Sequence, residues 1–270
     1  MLNDKDGIPT KEWGFYENGN SGMNPAVKTN SSLALQSQNI VVLGGSSGIG
    51  LAVAELALAA GAIVTLIARN PERLKAAAAS LGGKVATRVA DWNDPVALEV
   101  ALAHLTRIDH VYVAAGSAHF AHAHKDSATE KFTAIQERIL GSIHAVRIAA
   151  GRFPPGGSFV FTGGISTDRP VAGAWVTCVA TAATEQLART LALDLAPLRF
   201  NAISPGWTDT PMWDPLLGEN KAAVFASVAE KLPVRRLATA HEVAEAVLLL
   251  MRVGSITGEV IHIDGGGRLV

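Results

Sequence analysis

The residues best suited to chemistry lie in the run Val41-Val42-Leu43-Gly44-Gly45-Ser46-Ser47-Gly48-Ile49-Gly50, where an apolar strand passes through a glycine turn into a helix. Glycines there let backbone N–H groups approach a pyrophosphate, and the N-terminus of the following helix adds a favourable dipole. Gly44, Ser46, Ser47, Gly48, Ile49 and Gly50 are the expected dinucleotide contacts. The end of the next apolar run reads Ala68-Arg69-Asn70. An acid at that point accepts hydrogen bonds from ribose hydroxyls. This chain has none there, and the guanidinium fork of Arg69 suits a 2′-phosphate instead. NADP(H) is therefore the expected cofactor; a solvated surface arginine is the other reading of Arg69.

Such contacts need a scaffold, and the chain can build one. Hydrophobic residues make up 49% of the 270 and charged residues 17%, enough for a large core and too apolar for a disordered chain. The 23 basic and 24 acidic side chains give a net charge of -1, which argues against a nucleic-acid binder. Cys178 is the one cysteine, so no internal disulfide framework or cysteine-based zinc site is expected. No apolar stretch approaches a membrane span, and a soluble, cytoplasmic protein with a small-molecule substrate is expected.

Residues Met1 to Gln38 show no sustained apolar period and read as an extension, poorly ordered or packed on a neighbour. From Asn39 the strands expected are Ile40–Leu43, Ile63–Ala68, Val85–Ala90, His110–Ala114, Ser158–Thr162, Phe200–Ser204 and Val260–Ile263. They are almost continuously apolar, as parallel strands covered on both faces are. Between them Phe132, Ile135, Ile139, Ile143 and Val146 keep helical spacing, as do Val243, Val247 and Met251. The alternation predicts one α/β domain over residues 39–270, a Rossmann-type doubly wound parallel sheet of about seven strands with helices on both faces.

The chain resembles the short-chain dehydrogenase/reductase family over nearly all of Asn39 to Val270. GGSSGIG is similar to that family's glycine turn, with Leu43 where the family has Thr. Asp91, followed by Trp92, matches its adenine-contacting Asp, and Val113-Ala114-Ala115-Gly116 stands where the family has Asn-Asn-Ala-Gly. Asn201-Ala202-Ile203-Ser204-Pro205-Gly206 resembles the segment leading to the nicotinamide; Thr208 and Thr210 follow it. Ile261-His262-Ile263-Asp264-Gly265-Gly266-Gly267 resembles the last strand and its loop. The resemblance adds Asp91, Trp92, Ala115, Gly116, Pro205, Gly206 and Thr208 to the nucleotide contacts and implies a homo-oligomer, tetramer or dimer.

In the family a Tyr exchanges a proton with the substrate oxygen. A Lys four residues later lowers its pKa and holds the nicotinamide ribose. A Ser polarises the carbonyl, and an Asn supports a proton relay. The run Ala182 to Pro197 matches the pattern after the Lys, which puts Thr181 at the Lys position and Thr177 at the Tyr position. Gly164 falls at the Ser position and Arg138 at the Asn position. All four are substituted. A threonine hydroxyl is not acidic near neutral pH, so an acid worth ~10²–10⁴-fold is missing. Thr177 and Thr181 either hydrogen-bond a ligand or serve as small packing residues.

His119, on the segment after the fourth strand, is the leading substitute acid, because imidazole titrates in the useful range. His122 and His124 alternate without a third ligand at fixed spacing, so no metal is expected. Ser166, Thr167, Asp168 and Arg169 are further candidates for the cleft. Trp175 and Trp207 are expected as its walls, and Trp213, Leu216, Leu217, Val224 and Phe225 as its cover, which suits an apolar substrate. Three functions follow: an atypical NADP(H)-dependent oxidoreductase on a small apolar carbonyl or alcohol compound, a non-redox lyase, isomerase or cyclase reusing the pocket, or a catalytically silent nucleotide sensor.

Overall fold

A computed structural model describes residues 35–114, 116 and 118–270. Residues 1–34 of the expected extension, and Ala115 among the expected nucleotide contacts, lie outside the described residues. Leu35, in contrast, is buried, and the turn it opens hydrogen-bonds to Ala60 and Gly61.

In chain order the elements are β1 (Asn39–Leu43), α1 (Gly48–Ala59), β2 (Ile63–Ala68), α2 (Pro71–Ser80), β3 (Ala86–Val89), α3 (Pro95–Leu102), β4 (His110–Val113) and α4 (Ala128–Ala149). Then follow β5 (Ser158–Thr162), α5 (Trp175–Asp194), β6 (Arg199–Pro205), α6 (Asp214–Leu217), α7 (Lys221–Lys231), α8 (Ala240–Arg252) and β7 (Val260–Ile263). The strands form one sheet in the order β3-β2-β1-β4-β5-β6-β7, every neighbour parallel. All seven expected strands are present. β3 and β4 are shorter than expected, and β6 extends to Arg199 and Pro205.

Both sheet faces are covered, which explains the apolar runs. Along β1, Ile40 and Val42 join the cluster under α1, α2 and α8, while Val41 and Leu43 join the one under α3, α4 and α5. Successive side chains of a strand point to opposite faces, so a doubly covered strand must be apolar throughout. β6 starts one residue early because Arg199 is a packing residue. Its guanidinium donates to the carbonyls of Leu250, Met251, Val253 and Ile256, satisfying acceptors that the end of α8 leaves open. At the other end of α8, Thr239 and Glu242 form a capping box.

The strand order reverses between β1 and β4. In open parallel sheets the loops diverge at such a point and leave a crevice at the carboxyl ends of the strands. Leu43, Ala68, Val113, Thr162 and Pro205 all end there, carrying the loops that make the site.

Candidate functional site

One cleft of about 460 Å³ runs along this edge, with Ile67, Ala68, Arg69, Asn70 and Arg73 at the β2 end. Past them lies the glycine turn, with Gly44, Ser46, Ser47, Gly48, Ile49 and Gly50 all in the wall. The turn can approach a ligand because it carries no bulk. A Cβ on Gly50 would stand 2.4 Å from the carbonyl oxygen of Gly44, so only glycine allows α1 to begin this close to β1. The Ser47 side chain does not cap α1, whose first N–H groups stay open to the cleft. These features fit the pyrophosphate of a dinucleotide.

Arg69 is largely exposed and lies 4.0 Å from Asp91. Arg73, which the sequence reading missed, joins it because Asn70 caps α2 and accepts from the Arg73 N–H at 2.9 Å. A cap residue at the end of β2 was the available signal. Asp91 itself does not line the cleft; it accepts from the Asn93 N–H, while Trp92 and Asn93 form the wall. Pro205, Gly206 and Thr208 line the cleft at the end of β6. The Thr208 hydroxyl donates to the Gly206 carbonyl at 3.1 Å, and its carbonyl accepts from Trp213 Nε1 at 3.0 Å.

The structure brings His119, Thr177, Thr181 and Gly164 together in the same cleft. Their hydrogen bonds restrict what they can do. Thr177 Oγ1 accepts from the His119 N–H at 2.8 Å and donates to the His119 carbonyl at 3.0 Å. The single proton of that hydroxyl is thus held by the main chain. Thr181 is buried, and its hydroxyl bonds the helix carbonyls of Thr177 and Cys178 and meets Ser166 Oγ at 3.1 Å and Thr167 Oγ1 at 3.2 Å. Hydroxyl contacts fill the Lys position, and no ammonium is present there. The Gly164 N–H donates to buried Glu185 Oε1 at 3.1 Å.

Among the described residues His119 is the one imidazole that lines the cleft. Burial holds its pKa below the ordinary 6.5, Lys131 and Arg138 push the same way, and Glu137 opposes them. Arg138 also lines the cleft, although it is only 9% exposed. Its Nη2 donates to the Thr162 carbonyl at 2.6 Å. Arg138 shares the buried face of α4 with Ile135 and Ser142, about one turn to either side, although a polar residue there gave no apolar period to mark it in the sequence.

Trp207 and Trp213 line the cleft and stack at 4.3 Å, with Phe225 edge-on to both. Lys221 sits over the Phe225 ring and bridges Asp209 and Asp214, which ties the cover segment together. Leu216, Leu217 and Val224 are not part of the wall. Trp175 is not part of it either: the first turn of α5 carries it into a separate groove beside His122, His124 and Cys178. Position on the same helix as Thr177 was a poor guide, because one step along a helix turns a side chain by about 100°. Ser166 reaches the cleft, whereas Asp168 pairs with His262 at 2.7 Å. The described residues contain no group of three or more His, Cys, Asp or Glu able to hold a metal, and no helix long and apolar enough to cross a membrane.

The model of the family described as enoyl-(acyl carrier protein) reductase matches residues 44–267. The short-chain dehydrogenase/reductase ucsE of an Acremonium species is 30% identical over 266 residues, covering 89% of this chain and 99% of its own. The structure of the MalC reductase/Diels-Alderase from Malbranchea aurantiaca is similar at TM-score 0.82 and 27% identity, over 89% of this chain and 100% of that one. A short-chain oxidoreductase from Pseudomonas aeruginosa PAO1, described as containing an atypical catalytic centre and solved with NADPH, is similar at TM-score 0.79 and 27% identity, over 86% and 98%. The matched segment begins in the glycine turn and runs through the last strand, taking in the loops that build the cleft, and the chain belongs to the short-chain dehydrogenase/reductase family.

Proposed function

We propose that the protein is an NADP(H)-dependent oxidoreductase of atypical mechanism, acting on a small apolar carbonyl or alcohol compound. The observation that carries this reading is the continuity of one cleft from Arg69 and Arg73, past the glycine turn, to Gly164, Thr181 and the Trp207–Trp213 wall. The basic end suits a 2′-phosphate, and the aromatic end suits an apolar molecule. When bound, the nicotinamide supplies a hydride donor or acceptor. The chain's own residues position the substrate, exclude water with the Trp207 and Trp213 rings, and leave proton transfer to His119, water or the substrate itself. Thr177 and Thr181 position the His119 backbone and the Ser166 loop.

Without a phenol and ammonium pair, simple ketones and aldehydes lack an acid worth ~10²–10⁴-fold. Their turnover with NADPH is expected near background, below the ordinary kcat range of ~1–10³ s⁻¹. Electron-poor carbonyls need less proton assistance and are the expected substrates. The test follows deuterium from C4-labelled NADPH into product across both classes. Deuterium in the electron-poor products alone supports the reading; ordinary rates with simple ketones overturn the mechanism. Conversion of a compound with no change in nicotinamide absorbance would favour a non-redox enzyme in the same pocket. Two observations keep that second reading in view: the Thr177 and Thr181 hydroxyls are engaged by the chain itself, and one similar protein is described as both reductase and Diels-Alderase.

The protein works as a homo-oligomer through α4 and α5. Phe132 and Leu140 on α4, with Val179 and Leu193 on α5, leave apolar surface exposed on this chain.

A further inference from the structure

We infer that the substrate half of the cleft takes a molecule carrying a delocalised oxyanion, such as an apolar carboxylate, and that Arg138 is the residue that holds it. The inference deepens the reading proposed above by naming the substrate class, and it rests on that reading for the place of the substrate.

Arg138 is buried on the inner face of α4, between Ile135 and Ser142. Burial lowers its pKa to about 10, which leaves it a cation at neutral pH. A buried cation is costly to maintain unless it is paired and hydrogen-bonded. This one makes a single hydrogen bond to the described residues, from Nη2 to the Thr162 carbonyl. A guanidinium has five N–H donors. Arg138 forms no ion pair among the described residues. The acidic groups that act on it are Tyr112 and Glu185. The Tyr112 phenol is fully buried with its pKa pushed up, so it stays neutral. Glu185 acts on it from beyond ion-pair distance, and one of its oxygens accepts from the Gly164 N–H, so no carboxylate among the described residues meets the guanidinium directly.

The surroundings are shaped around the charge. Gly116 has φ +149°, and a Cβ there would stand 2.9 Å from Arg138 Cζ, so the guanidinium lies flat on bare backbone. It lines the cleft together with Gly163, Gly164, Thr177 and Thr181, at the ends of β4 and β5. Holding one carbonyl of β5 needs a single neutral donor, and a glutamine amide has that donor without the desolvation cost of a charge. The charge is explained by an anion in the cleft, because the planar fork matches a carboxylate through two parallel hydrogen bonds. The Trp207 and Trp213 rings line the same cleft and suit an apolar remainder of the molecule.

Benzoate and its neutral isostere benzamide are suitable probes, with binding to the full chain followed by calorimetry and tryptophan fluorescence. The wild-type protein is expected to bind benzoate at least roughly tenfold more tightly than benzamide, both alone and with NADPH bound. Arg138→Gln should abolish that preference while NADPH affinity changes less than about threefold, Arg138→Lys should keep part of it, and Arg69→Ala should keep all of it. Equal binding of the two probes, or no binding of either, overturns the inference. So does a preference that survives in Arg138→Gln or disappears in Arg69→Ala, since the anion would then sit elsewhere. If Arg138→Gln does not fold, the wild-type ratio and the Lys variant still decide. NADPH titration is read separately: loss of nucleotide binding with the benzoate preference intact removes the cofactor reading and leaves Arg138 in place.

Discussion

At the scale of single residues, the proposed preference for NADP(H) rests on Arg69 and Arg73. Both line the cleft beside a cap residue that fixes the start of α2. Hydrogen bonds to a charged partner contribute about 1.5–3 kcal/mol. Arg69 is 72% exposed, so solvent screening puts its share at the lower end of that range. Arg69→Ala is expected to weaken NADPH by about 1.5 kcal/mol and to leave NADH unchanged. The double variant with Arg73→Ala should erase the preference. Fluorescence titration with both nucleotides checks this, and a wild-type protein that binds NADH as tightly as NADPH refutes it. Arg69 was readable as a residue of the cleft because it directly follows β2. Arg73 was hidden because only the turn into α2 brings it back to the cleft.

Among the elements, β4 shows how a strand that feeds the site is held from below. His110 begins it, buried, with Nδ1 2.8 Å from Ser158 Oγ and Nε2 2.7 Å from Gln38 Oε1. The Gln38 oxygen can only accept, so Nε2 carries the proton and Nδ1 accepts from the serine. The neutral ring is satisfied on both sides. Burial holds its pKa at about 4 instead of 6.5, with Arg199 adding to the effect and Asp109 opposing it. The unfolded chain therefore takes up a proton at higher pH than the folded one does. The stabilisation is complete above pH 6.5 and is lost as pH falls through 4, to a total of about 3 kcal/mol. His110→Gln should flatten the pH dependence of the urea midpoint within that window and lower stability at pH 7. An unchanged slope would show that other groups control it.

Assembly belongs to the whole molecule. α4 and α5 pack side by side and also present Phe132, Leu140, Val179 and Leu193 to solvent, the last of them 82% exposed. Helices that carry an inner and an outer apolar face suit an isologous contact. Light scattering at micromolar concentration should give the mass of a dimer or tetramer. Leu140→Glu combined with Leu193→Glu should reduce it to a monomer, because an uncompensated carboxylate is costly in an apolar contact. A monomeric wild-type protein would refute the assembly.

The sequence by itself determined the sheet and the glycine turn at its carboxyl edge. A doubly covered strand is apolar at every position, and a glycine turn between strand and helix is contiguous in the chain, so both are local patterns. The place of Thr177 and Thr181 on one helix was also readable, because the regular run of α5 that follows them anchors both. Only the tertiary structure decided what those positions do. Thr177 holds the backbone of His119, 58 residues away, and Glu185 holds Gly164 from across the α5–β5 contact. Trp175 and Thr177 share a helix turn but face different cavities. Arg138 stood in the sequence as an unusual residue at a relay position. Its burial, its single partner at Thr162 and the bare surface of Gly116 beneath it arise only when α4 is laid against the ends of β4 and β5. Charge and hydrogen-bond saturation depend on neighbours distant in sequence, and those neighbours are set by packing.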